Sequence, residues 1–245
     1  MESLHLVTHC WNYSRLLCYQ LSSLVDCVPK RFSTTCTVFY CQDDVATVKA
    51  VLFFQGFAFS PTICHSMPWL NWDFRPLPPD QLCRRAIGRN MAAKDTSADW
   101  VWFLDCDYVF GFGCLDSLPD ELPKVSGPLA YPRAVYRSTT HQLGDAAIER
   151  VTKPKLYAVD PDDFSAYRNR RAIGGIQIVR GDVCRRHGYL DGHPKYQRPV
   201  KRWRRTFEDT AFRRSLGTKG EPINLPNLYR IRHSKRGRTH VGVEL

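Results

Sequence analysis

Two short acidic clusters carry most of the chemical potential of this sequence. In "WVWFLDCDYVF", residues 100–110, an aromatic and aliphatic run is cut by Asp105 and Asp107. In "TFEDTAF", residues 206–212, Glu208 and Asp209 stand at the start of a stretch with helical spacing. Side chains alternate along a strand, so residues 105 and 107 are expected on one side and Cys106 in the packing. Two carboxylates at the mouth of a cleft form a hard oxygen site suited to Mg2+ or Mn2+. The alternative is that they cap the next turn. The second pair suits the positive end of a helix, as a capping pair would.

These acids need a frame. "LHLVTHC" (4–10), "TTCTVFYC" (34–41) and "WVWFLD" (100–105) read as strands. "SRLLCYQLSSLVDC" (14–27) places Leu17, Leu21, Leu24 and Val25 at helical spacing. "DDVATVKAVLFF" (43–54) predicts a second helix, which Asp43 or Asp44 can cap. "DQLCRRAIGRNMAAK" (80–94) predicts a third, capped by Asp80, with Cys83, Ile87 and Met91 on one face. The strand at 100–105 has no polar alternation, as expected when both faces are covered. Strand and helix alternating in this way argue for an α/β fold with a mainly parallel sheet. Further on, "GPLAYPRAVYR" (127–137), "AIGGIQIVR" (172–180) and "LYRIRH" (228–233) read as strands, and "EDTAFRRSL" (208–216) as a short helix closed by Gly217. No repeat or linker divides residues 1–245, so one domain is expected. Ligands of open α/β sheets bind outside the carboxyl ends of the strands, which is where Asp105 and Asp107 stand.

Composition narrows the function classes. With 43% hydrophobic and 12% aromatic residues, the 245-residue chain can bury a core. No apolar run approaches the roughly 20 residues of a membrane span. "MESLHLVTHC" lacks the basic and apolar regions of a signal peptide, so a cytoplasmic protein is expected. The ten cysteines form no C-x-x-C pair and read as reduced core residues. A net charge of +11 points to an anionic partner: nucleic acid, lipid surface, phosphorylated small molecule or acidic glycan. The basic residues gather in 185–205 and 229–240. A nucleic-acid-binding module would use that charge but leaves the D-x-D and Glu-Asp pairs unexplained. A nucleotidyltransferase would want a Gly-rich phosphate loop after the first strand, and "THCWNYSR" is not one.

Four segments, in order, resemble the GT-A fold glycosyltransferases, especially the family-2-like inverting enzymes. "LHLVTHCWNYSRLLCYQLSSL" (4–24) is similar to their first strand and helix. "RRAIGRNMAAKDTSADWVWFLDCD" (84–107) resembles their Arg/Asn helix and D-x-D strand. "IGGIQIVRGDVCRRHGYLDG" (173–192) looks like their strand, turn and helix, and "RRTFEDTAFRRSLG" (204–217) like their Glu-Asp helix start. The resemblance implies a Rossmann-like GT-A domain, with residues 1–110 binding nucleotide and 111–245 binding acceptor. It implies transfer of a sugar from a nucleotide diphosphate to a glycan or other acceptor hydroxyl, with inversion and with Mn2+ or Mg2+. Asp107 would be the principal metal ligand; Asp105 would touch the ribose, the metal or both; His233 would complete the metal shell. Thr8 and Asp43 or Asp44 would hold base and ribose, an arrangement that favours UDP or dTDP, with GDP as runner-up. Arg84 would lie near the base and diphosphate, with Arg85 and Arg89 as rivals. Gly174 and Gly175 would let backbone approach the sugar, and Trp203 or Tyr189 would stack on a sugar face. Asp209 would be the general base, flanked by Glu208 or exchanging roles with it. The basic segment 185–205 resembles a loop that closes over the donor, and its Arg and Lys residues would hold the diphosphate or an anionic acceptor.

Overall fold

A computed structural model of the chain describes residues 2–59, 69–203 and 206–234. The first half is built from long apolar strands and the helices that cover them. Strand β1 (Ser3–Cys10) leads to helix α1 (Ser14–Asp26), β2 (Ser33–Tyr40) to α2 (Val45–Phe59), and β3 (Leu70–Pro76) to α3 (Arg85–Asp95). β4 (Trp100–Phe103) then returns to the other side of β1. β1 pairs in parallel with β2 from Ser3↔Ser33 to Cys10↔Tyr40, and with β4 from Leu4↔Trp100 to Val7↔Phe103. The chain therefore winds outward through β2 and β3 and resumes at β4, placing a topological switch point between β1 and β4.

The second half is shorter in its elements and mixed in direction. The strands are β5 (Tyr108–Phe110), β6 (Leu129–Pro132), β7 (Ala134–Ser138), β8 (Phe164–Arg168), β9 (Gln177–Arg180), β10 (Glu221–Ile223) and β11 (Leu228–Arg230). The helices that matter for the site are α4 (His141–Glu149), α5 (Gly181–His187) and α6 (Glu208–Ser215). The main sheet runs β10-β6-β9-β4-β1-β2-β3, with β9 antiparallel to both β4 and β6. A smaller sheet runs β5-β11-β7-β8. Val101, Trp102, Phe103 and Leu104 are all buried, so the strand before the acids lies in the core as its composition requires.

Several expectations are corrected. β4 stops at Phe103, and Asp105 to Asp107 form a turn closed by Tyr108 N donating to Asp105 O at 3.3 Å. Strand alternation therefore does not aim the two acids; the chain is already bending towards β5 of the other sheet. The helix expected over 80–94 breaks at Cys83–Arg84, where Arg84 has φ −113° and ψ 86°. Asp80 is no N-cap; its carboxylate accepts from Gln81 N at 2.9 Å. The buried face of α3 is Ala86, Gly88, Arg89, Ala92 and Ala93, while Met91 is exposed. Small residues let α3 sit close on the sheet: a Cβ at Gly88 would lie 2.3 Å from His9 Nε2 and 3.0 Å from the Phe39 ring. The segment 127–137 divides between the two sheets at Arg133, whose N–H donates to Ile223 O at 2.7 Å. In 172–180 only Gln177–Arg180 is strand, and Gly174–Gly175 form a turn. Among the described residues Cys10, Cys18, Cys36, Cys41, Cys114 and Cys184 are buried. No helix among the described residues is long and apolar enough to cross a membrane.

Candidate active site

The site is organised by arginines from one end of α3. Arg89 is fully buried. Its guanidinium donates to Tyr189 OH at 3.0 Å, to Gly174 O at 3.1 Å, and, at 3.4 Å each, to Leu104 O and Asp105 Oδ1. Arg85, one turn earlier, donates to the same Asp105 Oδ1. Burial opposes the charge on Arg85, but Asp105 and then Glu208 hold its pKa above the usual arginine range. Tyr189 OH donates onward to Gln177 Oε1 at 3.0 Å, and Gln177 Nε2 to Asp209 O at 3.2 Å. Burial pushes the Tyr189 phenol up to about 12, so it stays a donor at neutral pH. One hydrogen-bonded chain thus joins the D-x-D turn, the glycine turn and the start of α6.

Asp107 is held from a different direction. Arg230 Nε donates to Asp107 Oδ2 at 2.8 Å, and Ile231 N to Asp107 O at 2.9 Å. Asp107, and then the Tyr108 hydroxyl, raise the Arg230 pKa above its ordinary value, against the effect of burial. The other carboxylate oxygen, Asp107 Oδ1, is buried and has no hydrogen-bond partner among the described residues. Arg230 also lies over the Tyr108 ring, 5.2 Å from its centroid. Three guanidiniums, of Arg85, Arg89 and Arg230, therefore face two carboxylates.

The Glu-Asp pair is split by burial. Phe207 takes the left-handed conformation at φ 55°, on the order of 1 kcal/mol above an ordinary backbone, and turns the chain into α6. Glu208 is buried; its Oε1 accepts from Thr206 Oγ1 at 2.9 Å and lies 3.7 Å from Arg84 Nη1. Asp209 is only half-buried. Gly174 stands between the two acidic clusters. A Cβ placed there would lie 3.9 Å from Asp105 Oδ2 and 4.0 Å from the Asp209 Cβ. The absent side chain leaves a slot flanked by the D-x-D acid and the α6 acid. Gly175 has a different task, since its Cβ would strike the Tyr108 ring at 2.3 Å.

The remaining residues of interest are dispersed. Thr8 is buried at the end of β1, its Oγ1 without a hydrogen-bond partner among the described residues. Asp44 caps the start of α2: it accepts from Thr47 N at 3.1 Å, Thr47 Oγ1 at 2.6 Å and Asn12 N at 2.7 Å. Asp43 is exposed beside it. His233 packs edge-on to Tyr13, ring centroids 5.5 Å apart. It does not complete a metal shell with the two acids: no three His, Cys, Asp or Glu side chains come together as metal ligands among the described residues. Asp105 is turned to the arginines instead. Trp203 is half-buried in the segment leading to α6. Arg204, Arg205 and residues 235–240 of the two basic stretches lie outside the described residues. Sequence reading missed Arg230 and Gln177 altogether; the only signal for Arg230 is its place in "YRIRH", where two arginines alternate with apolar residues.

No family model and no curated protein matches the sequence. Solved structures do match the fold. S. aureus TarS 1–349 in complex with UDP-GlcNAc aligns at a TM-score of 0.57 and 13% identity, over 98% of this chain and 62% of that one. The mannosyltransferase PcManGT from Pyrobaculum calidifontis, in complex with GDP-Man and Mn2+, aligns at 0.52 and 14% identity, over 96% and 58%. The chain has the GT-A glycosyltransferase fold. At these identities the likeness concerns architecture, and this GT-A chain spans about three fifths of the length of each neighbour.

Proposed function

We propose that the chain is an inverting glycosyltransferase that moves a sugar from a nucleoside diphosphate to an acceptor hydroxyl. The observation that carries this reading is the slot at Gly174, with Asp105 on one side and Asp209 on the other, outside the carboxyl ends of the central strands. Asp105, fixed by Arg85 and Arg89, is suited to hold the donor. Asp209 takes the proton of the acceptor hydroxyl as that oxygen attacks C1; the C1–O bond to the diphosphate breaks and the nucleoside diphosphate leaves with the electron pair. The excess of guanidinium over carboxylate around the D-x-D turn favours that anionic leaving group. Glu208, already engaged by Arg84 and Thr206, positions the start of α6.

The residues also fit a divalent cation at one atom. Asp107 Oδ1 is a buried acceptor with no hydrogen-bond partner among the described residues, and Mg2+ or Mn2+ is commonly held by one or two carboxylates plus substrate phosphates. Such an ion supplies Lewis-acid neutralisation of the leaving diphosphate. For the base we favour a pyrimidine, UDP or dTDP, with GDP as runner-up. Asp43 is the acid left exposed after β2 to accept an imide N–H, and TarS was solved with UDP-GlcNAc while PcManGT was solved with GDP-Man.

The test compares Asp209→Asn with Glu208→Gln. Asp209→Asn should lower sugar transfer, or donor hydrolysis where no acceptor is supplied, on the order of 10²-fold. UDP affinity by calorimetry should stay within about twofold of wild type. Near wild-type turnover in Asp209→Asn removes the base assignment. If Glu208→Gln were instead the inactive variant with its melting temperature preserved, the two acids would exchange roles.

A further inference from the structure

Beside the Gly174 slot lies a groove of about 540 Å³ whose walls carry Arg168, Arg170, Arg171 and Lys219, with Tyr167 and Ile173 as its apolar part and no acid. Its volume falls in the range of small-molecule sites. All four cations are exposed, and none of them forms an ion pair among the described residues. The groove is tied to the reaction centre by the chain itself. Ile173 immediately precedes Gly174, and Ala172 N donates to Lys219 O at 3.0 Å, fixing the two cationic segments side by side.

The positive potential continues inward. Arg213, one turn after Asp209 on α6, is buried. Burial first, and then Arg171, lower its pKa, while Asp209 opposes them. On the other side, Arg137 lies over the Tyr167 ring, 3.3 Å from its centroid, and feels the charge of Arg230. Cations thus run from the D-x-D turn through Arg137 to the groove, and from the groove through Arg171 to Asp209. Clustered like charges repel unless a counter-ion joins them, and a cleft lined by one sign concentrates ligands of the other. Guanidiniums in particular match the oxygens of phosphate and carboxylate groups in pairs.

Resting on the transferase reading, we propose that this groove binds an oxyanion, a phosphate or carboxylate, carried by the acceptor, so that the enzyme glycosylates an anionic acceptor whose hydroxyl is delivered to Asp209. Arg171 of the groove and Asp209 both act on Arg213, which is why the charge is assigned to the acceptor and not to the donor diphosphate.

The test uses the full chain with UDP held saturating, so that the diphosphate site is filled. Calorimetry is run with glucose 6-phosphate, glucuronate and glucose as probes, on wild type, Arg170→Gln/Arg171→Gln and Lys219→Gln. Glucose 6-phosphate or glucuronate should bind wild type at least tenfold tighter than glucose, and that advantage should fall about tenfold in the double variant and less in Lys219→Gln. UDP affinity should be unchanged in both variants, and circular dichroism should give the same melting temperature. Equal binding of glucose and its anionic analogues overturns the proposal, as does unchanged affinity in both variants. A single-stranded oligonucleotide that displaces glucose 6-phosphate at far lower concentration also overturns it, in favour of a nucleic-acid surface. Should UDP itself fail to bind, the transferase reading falls, while the sugar-anion arm still reports separately on the groove.

Discussion

Around the D-x-D turn and the start of α6, charges meet in pairs: Asp105 with Arg85 and Arg89, Asp107 with Arg230, Glu208 with Arg84. In the neighbouring groove, Arg168, Arg170, Arg171 and Lys219 line one wall and face the solvent. The paired region has its orientation set before any ligand arrives, so a nucleotide would meet fixed dipoles that need little reorganisation. The unpaired region keeps its side chains free and acts at a distance, through its field. The first is built for geometry, the second for capture. Substitutions in the two regions should therefore differ in kind: stability is at stake in one, ligand affinity and salt sensitivity in the other.

Arg89→Met is the largest break in that contrast. It leaves Tyr189 OH without its donor in the interior, and Asp105 short of one cation and Gly174 O without that bond where both are half-buried. Asp105 keeps Arg85, so the cost is that of buried polar groups left unsatisfied, about 1–3 kcal/mol, and urea unfolding should show a loss of that size. A loss under 1 kcal/mol would mean that the pairing is incidental to the fold.

A smaller effect is expected at Asp107. UDP should bind about tenfold tighter in Mn2+ than in EDTA, a difference of about 1.4 kcal/mol, and Asp107→Asn should abolish the difference. Equal affinity of wild type in both buffers would leave Arg230 as the cation that serves this place, and would remove the metal from the reading. The smallest effect belongs to the groove: Arg170→Gln should change the unfolding free energy by less than about 0.5 kcal/mol, the ordinary range for exposed sites. A destabilisation above 1 kcal/mol would show that the groove cations hold structure together, and the contrast between the two regions would collapse.

Much of the first half was legible because each segment has one task. β1, β2 and β4 are mostly buried strands of a covered sheet, rich in β-branched and aromatic residues, and α1 shows its leucines at helical spacing. The second half hides its breaks. Nothing in "LAYPRAVYR" announces that the chain changes sheets at Arg133, because Pro132 ends one apolar strand and Ala134 begins another. β8 is mostly exposed and β10 is three residues long with a central proline, so neither has a period to read. In the site, the acids were legible as types and their partners were not. Arg230 reaches Asp107 across 123 residues, and Arg89 reaches Gly174 across 85; such pairings are set by topology. The arginines 84, 85 and 89 are rivals on sequence alone; the structure pairs Arg84 with Glu208, while Arg85 and Arg89 share Asp105.

Gly174 sets a size limit that stability does not police. A methyl group there would make only ordinary contacts, at 3.9 Å and 4.0 Å, and its backbone needs no left-handed angle. The folded protein would accept alanine without strain, yet every atom added would be taken from the space between the two acids. On the transferase reading proposed above, position 174 would work as a dial for the bulk of the transferred group, one that evolution or a designer can turn in single steps while the fold stands still.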